Sequence, residues 1–176
     1  AHTEITSDNL EGGRDAARFL AAGGHRRIAH VAGWQGASTG RDRAEGFRRG
    51  LAESGLEPVA VIDGMYDRDT AAAAARRLME GPAPPDAIFV GNDHMAFAVM
   101  DALRSGLGLR VPGDVSVVGF DDVPLAAWPA YDLTTVGATV DVLVRQIEEG
   151  ARDPVRLRLP APLVVRGSAR KPETWP

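Results

Sequence analysis

Few residues in this 176-residue sequence are spaced to do chemistry. Two adjacent carboxylates, Asp121 and Asp122, come one residue (Phe120) after residues 115–119, a short β-branched run that starts after the turn residues Pro112, Gly113 and Asp114. Such a run suits a strand buried on both faces of a parallel sheet. In open α/β sheets ligands bind beyond the carboxyl ends of the strands, where these carboxylates would sit. Short polar residues also cap loops and face solvent, so spacing alone leaves both roles open. Residues 36–40, Gly-Ala-Ser-Thr-Gly, have the letters of a nucleophile elbow, but that motif needs its serine on a turn straight off a strand. The preceding strand closes at Gly33, five residues before Ser38, which disfavours a hydrolase. His2, His25, His30 and His94 lack metal-ligand spacing, no cysteine is present, and no glycine-rich phosphate cradle occurs. The chain therefore reads as a non-enzyme with no metal and no cofactor.

Composition narrows the class further. Apolar residues make up 44% and charged residues 25%, as in globular domains that bury a core. No apolar run approaches the roughly 20 residues of a membrane span, so no membrane partner is expected. The net charge is −4, and the arginines are spread without a dense basic stripe. Affinity for nucleic acid rests on phosphate neutralisation, so this chain by itself should hold DNA poorly.

The elements that would position these residues alternate. Asp8, with Glu11 three residues on, opens a helix over residues 9–22. A strand over 28–32 leads to a loop over 34–40 and a helix over 41–54. A strand over 59–62, a polar loop over 63–69, an alanine-rich helix over 70–79, a strand over 87–90 and a helix over 92–104 follow, and then the β-branched run before Asp121. Four strands alternating with helices predict an α/β fold with a parallel sheet and right-handed crossovers. Beyond Asp122 come a loop, a short strand at 133–136, a helix at 141–149, one or two closing strands within 155–166, and a disordered tail from Lys171. The first helix has only a stub of strand before it, and so is expected to lack sheet on which to pack.

At this point the chain resembles the LacI/GalR-type bacterial transcription regulators. The resemblance is carried by ITSDNLEGGRDAARFL, GHRRIAHVAG, RAEGFRRGL, AIFVGNDHMAFAVMDAL, VPGDVSVVGFDD, LTTV and LPAPLVVRGS, in the family's order and over nearly the whole chain. It implies a type I periplasmic-binding-protein-like fold that binds a small-molecule effector, a sugar or a nucleoside or purine, between two lobes. The full-length regulator would be cytoplasmic, homodimeric and attached to operator DNA through a helix-turn-helix head. Against the family pattern that head, the hinge helix and half of the N-terminal lobe are not in this sequence. Residues 1–27 would then be a remnant of the N-terminal lobe, 28–122 the C-terminal lobe, 123–154 the crossover and a shortened return segment, and 155–176 closing strands and tail. Weak or absent effector binding by the isolated chain is the corresponding expectation. A periplasmic sugar-binding protein of a transporter shares the fold and is the alternative.

The resemblance also implies site residues. Arg43 stands where the family places an effector-contacting arginine, whose planar fork suits paired hydroxyls or purine acceptors. Asp121 is the acidic residue of the GFD motif, with Asp122 in support. Asn92 is a donor and acceptor at a strand end, and Asp93 reads as a helix cap. Tyr66 supplies an aromatic face. Trp34, Ser38 and Thr39 line the loop before the Arg43 helix, and Trp128 follows GFDD on a loop near the cleft. His30, inside a strand, reads as core or interface.

Overall fold

The computed structural model describes residues 4–137 and 156–175. Strands β1 (Glu4–Ser7), β2 (Ile28–Ala32), β3 (Ala60–Asp63), β4 (Ala87–Val90), β5 (Ser116–Asp121), β6 (Thr134–Gly137), β7 (Arg156–Leu159) and β8 (Leu163–Val164) are joined by helices α1 (Asn9–Ala22), α2 (Ser38–Ala52), α3 (Arg68–Glu80) and α4 (Asp93–Asp101). A π-helical turn, Ala102–Gly106, prolongs α4, and a 3-10 turn, Pro124–Ala127, follows β5.

Six strands form one sheet in the order β3-β2-β4-β5-β6-β8, parallel except for β8, which runs antiparallel to β6. A separate two-stranded parallel sheet pairs β1 with β7. The alternation of side chains along each strand explains why the central strands are apolar throughout. Ile28, Phe89, Val118 and Phe120 face α1 and α2, where Phe19, Leu20, Phe47 and Leu51 complete one core. Val31, Ile88, Val90 and Val117 face α3 and α4, where Met95, Phe97, Val99 and Met100 complete the other.

Three helices begin on side-chain caps, which satisfy backbone donors that would otherwise be orphaned. Asp8 accepts from the Glu11 N–H, Asp67 from the Thr70 N–H and Asn92 from the Met95 N–H. The cap of α4 is thus Asn92, with Asp93 the first residue inside. Helix α2 begins at Ser38, three residues earlier than expected, so Ser38 and Thr39 lie in its first turn.

Two expectations about the ends of the chain are corrected. Helix α1 does not lack a packing surface: it lies on α2 and the sheet, with Ala16, Ala17, Phe19 and Leu20 buried. The close approach depends on glycines, because a Cβ on Gly46 would strike the Leu10 carbonyl oxygen and one on Gly50 the Arg14 carbonyl oxygen. The tail, expected to be disordered, brings Trp175 edge-on to Phe19 at 5.2 Å.

The late strands also divide in a way that periodicity could not reveal. Thr134–Gly137 joins the main sheet beside β5, and of the two closing strands β8 joins it too while β7 pairs with β1. The helix expected at 141–149 lies outside the described residues.

Candidate functional site

The chain from β2 goes to β3 on one side of it and then to β4 on the other, so the strand order reverses beside β2. This is the kind of switch point at which open α/β sheets take ligands. Glycines close the two strands flanking it, Gly33 after β2 and Gly91 after β4. A Cβ on Gly91 would come within 2.6 Å of the Gly33 backbone nitrogen, and one on Gly33 would strike the Tyr66 ring, so neither strand end tolerates a side chain. Gly91 donates its N–H to Val31 O at 2.8 Å, which fixes the pair.

Arg43 spans this crevice from α2. It is only 8% exposed, so its charge must be met by protein groups. Its Nε donates to Asn9 Oδ1 at 2.8 Å, Nη1 to the Gly91 carbonyl at 2.6 Å and Nη2 to Asp121 Oδ1 at 3.0 Å. The guanidinium carbon lies 3.7 Å from the centroid of the Phe120 ring, a cation–π arrangement. Three of its five N–H groups are thereby used, leaving one on each terminal nitrogen.

Asp121 ends β5 with φ of 114°, a conformation that side chains rarely adopt, and Asp122 follows at 52°. The turn carries Asp121 toward Arg43 and Asp122 toward Arg166, whose Nη2 lies 2.7 Å from Asp122 Oδ1. Burial pushes the Asp121 carboxyl up, and the charge of Arg43 opposes that shift. Below them Asp93 is fully buried, accepting from Thr135 Oγ1 at 2.6 Å and from the Val123 N–H at 3.0 Å. Burial raises its carboxyl to about 7, with the charges of Asp121 and Asp122 adding to the shift.

On the β3 side of the crevice, Met65 and Tyr66 both take the left-handed conformation, at φ 57° and 56°. This turn lays the Tyr66 ring against Gly33, where a Cβ would collide with the ring carbons. The Tyr66 hydroxyl meets Thr39 Oγ1 at 3.2 Å. Asn92 accepts from Met95 N with Oδ1, and its Nδ2 has no protein partner among the described residues.

Arg43, Asp121, Asn92, Tyr66 and Thr39 thus gather around the exits of β2, β3, β4 and β5. The two tryptophans differ from them. Trp34 is 51% exposed and lies over Gly36, and Trp128 is 60% exposed after the 3-10 turn; neither has a hydrogen bond from its ring to this cluster. Sequence reasoning missed Asn9, Gly91 and Phe120, which hold Arg43. Paired strand-end glycines were a usable signal for Gly91, whereas nothing local connects Asn9 with Arg43.

The apparent nucleophile elbow is not one. Ser38 is exposed in the first turn of α2, and no histidine hydrogen-bonds to it among the described residues. Nor do the described residues hold a group of three or more His, Cys, Asp or Glu able to take a metal ion. No helix among them is long and apolar enough to cross a membrane.

Residues 17–169 match the family of periplasmic binding protein-like domains. The HTH-type transcriptional regulator CelR of Thermobifida fusca is 37% identical over 174 residues, covering 93% of this chain and 51% of that protein. The ribose operon repressor of Escherichia coli K12 is 35% identical over 175 residues, covering 94% and 53%. Among solved structures, a CelR–cellobiose complex superposes with a TM-score of 0.80 at 36% identity, covering 96% of this chain and 54% of the other. A dimeric Lac repressor superposes with a TM-score of 0.84 at 28% identity, covering 96% and 64%. The chain spans about half the length of the relatives it matches. It belongs to the periplasmic binding protein-like domain family and, within that family, to the LacI-type transcriptional regulators.

Proposed function

We propose that this chain is effector-binding and dimerisation structure from a cytoplasmic LacI-type regulator. The effector is a sugar or sugar derivative held at the exits of β2 to β5. The observation that carries this reading is the gathering of Arg43, Asp121, Asn92 and Thr39 beside the Tyr66 ring at the switch point. The two unused N–H groups of Arg43 and the Asn92 amide offer donors, and Asp121 Oδ2 offers an acceptor. A ring face with fixed polar groups around it matches a pyranose, which has one apolar face and a rim of hydroxyls. The cellobiose complex and the ribose operon repressor among its relatives support a sugar in preference to a purine.

In the full-length homodimer, operator DNA is held by a helix-turn-helix head outside this sequence. The effector acts through its different affinities for two lobe arrangements, which shifts the population competent for DNA. No chemical step is involved. Trp34 and Trp128 are assigned to the approaches of the site, from which a ligand larger than one ring would be touched.

A thermal-shift screen of the full-length protein against mono- and disaccharides, nucleosides and purines tests the reading, because a ligand selective for the folded state raises Tm by mass action. A saccharide that raises Tm, and loses that effect in Asp121→Asn, is the expected result. A response confined to purines would overturn the sugar assignment. A signal peptide in place of a DNA-binding head in the full gene would favour the transporter alternative.

A further inference from the structure

Helix α2 is the last helix on its face of the sheet, and β3 extends past it. Val59 and Val61 are consequently 48% and 58% exposed, although Ala60 and Ile62, on the opposite side of the same strand, pack against the α3–α4 core. A pocket of about 480 Å³ occupies the angle between α2 and β3. This is within the size range of small-molecule sites. Neither Arg43 nor Asp121, Asn92 or Tyr66 lines it, so it is separate from the crevice at the strand exits.

Its lining is largely apolar: Ala44, Phe47 and Ala52 come from α2, with Pro58 and Val61 opposite. His30, paired with Val61 across the β2–β3 ladder, is the buried polar residue that lines it. The His30 ring is 1% exposed, stacked on Phe89 at 4.8 Å and tilted against Phe47 at 5.2 Å, in a three-ring cluster in which Phe47 and Phe89 also stack at 4.8 Å. Its Nδ1 lies 3.0 Å from the Phe89 carbonyl, which can only accept, so Nδ1 carries the proton. Burial lowers the ring's pKa to about 4, which leaves Nε2 a bare acceptor at neutral pH. That nitrogen is buried with no hydrogen-bond partner. An unmet acceptor costs free energy that a ligand's donor would recover. The charges at the mouth, Arg41 and Arg48 against Glu45 and Glu57, balance, so the site does not select for a charged occupant.

We propose that this pocket is a second ligand site, for a neutral and mainly apolar small molecule carrying one N–H or O–H donor that it gives to His30 Nε2. Flat aromatic compounds of indole or phenol type have the required shape and donor. Occupancy would bridge α2, which carries Arg43, to β3, which leads into the Tyr66 turn, so the site adjoins the effector crevice without entering it.

The test titrates the 176-residue chain with indole, followed by calorimetry and by amide chemical shifts. Saturable binding is expected, with shifts concentrated at Ala44, Phe47 and Val61. 1-Methylindole, which lacks the donor, should bind about tenfold more weakly, the factor expected for loss of one hydrogen bond to a buried acceptor. His30→Phe preserves the ring stack and should remove the difference between the two compounds. Ala44→Phe fills the pocket from a partly exposed position and should abolish binding. The comparison of the two indoles on the unaltered chain needs no variant. Absence of saturable binding, equal affinity for both indoles, or shifts centred on Gly33 and Gly91 would each overturn the proposal. Self-association that Val61→Arg abolishes, without indole binding, would overturn it in favour of a second copy seated on this flank.

Discussion

Arg43 donates through Nη2 to Asp121 Oδ1 over 3.0 Å, joining two residues 78 positions apart in the chain. Through this pair α2 is tied to the exit of β5, and through Gly91 O and Asn9 the same guanidinium reaches β4 and α1. It is therefore a structural clamp as well as a presenter of donors. Arg43→Ala should leave Asp121 without its cation and Asn9 and Gly91 O without their donor. Removing one partner of a largely buried ion pair costs about 3 kcal/mol or more. Urea unfolding of the chain should report a loss of that order, and Arg43→Lys should recover only part of it because one ammonium cannot reach all three acceptors. A variant within 1 kcal/mol of the parent would contradict the clamp.

Gly46 sets two effects of opposite sign against each other. Replacing a mid-helix glycine with alanine favours a helix by about 0.5–1 kcal/mol. At this position the new methyl would meet the Leu10 carbonyl of α1, a backbone atom that cannot swing aside. Overpacking costs about 1–3 kcal/mol, so Gly46→Ala should destabilise. Gly81→Ala is the control, since Gly81 has φ of −68° and its nearest neighbour to a new Cβ is 3.5 Å away. Equal Tm values for the two variants would remove the argument for glycine-dependent helix contact.

These contacts indicate what the sequence could and could not convey. The run before Asp121 was legible because burial on two faces demands apolar residues at every position, and Val117 and Val118 do face opposite cores. The periodicity of α1 was legible, but not its partner. Gly46 and Gly50 are weak helix formers by composition, and their role appears only when α1 lies across them. Likewise Asn9 reads as part of a helix start, and the acceptor it offers Arg43 depends on the packing of that same helix pair. Spacing alone put Asp121 and Asp122 at a strand exit, and the other candidate effector residues came from resemblance; their convergence at the strand exits follows from the sheet order, which local patterns do not encode.

Met65 and Tyr66 hold consecutive left-handed conformations, an arrangement that costs non-glycine residues free energy. Met65 is half-exposed, so Met65→Gly should relieve that strain with little packing lost. A gain of up to about 1 kcal/mol is expected, offset in part by the greater freedom of glycine in the unfolded chain. Tyr66→Phe keeps the ring against Gly33 and removes only the Thr39 contact, at a cost of about 0.5–1.5 kcal/mol. Differential scanning calorimetry of both variants measures these changes. A clear loss of stability in Met65→Gly would show that the methionine side chain, and not turn geometry, matters there.

Asp93 gives the chain a pH dependence opposite to that of buried His30. Unfolded, this carboxyl loses its proton near its ordinary value of 3.8, whereas folded it keeps the proton to about 7. Between those values the folded state binds the extra proton, so this group's contribution to stability falls as pH rises. His30, lowered from 6.5 to about 4 by burial, works the other way, since there the unfolded state binds the extra proton. The two oppose each other between about pH 4 and 6.5, and Asp93 continues alone to about 7. Asp93→Asn retains an acceptor for Thr135 but gives up the bond from the Val123 N–H, so the variant should be less stable at pH 5. As pH rises to 8 the parent loses its advantage, because only the parent must bury a carboxylate beside Asp121 and Asp122. Urea midpoints measured from pH 5 to 8 should therefore converge or cross, and parallel curves would show that Asp93 is already ionised in the fold at pH 5.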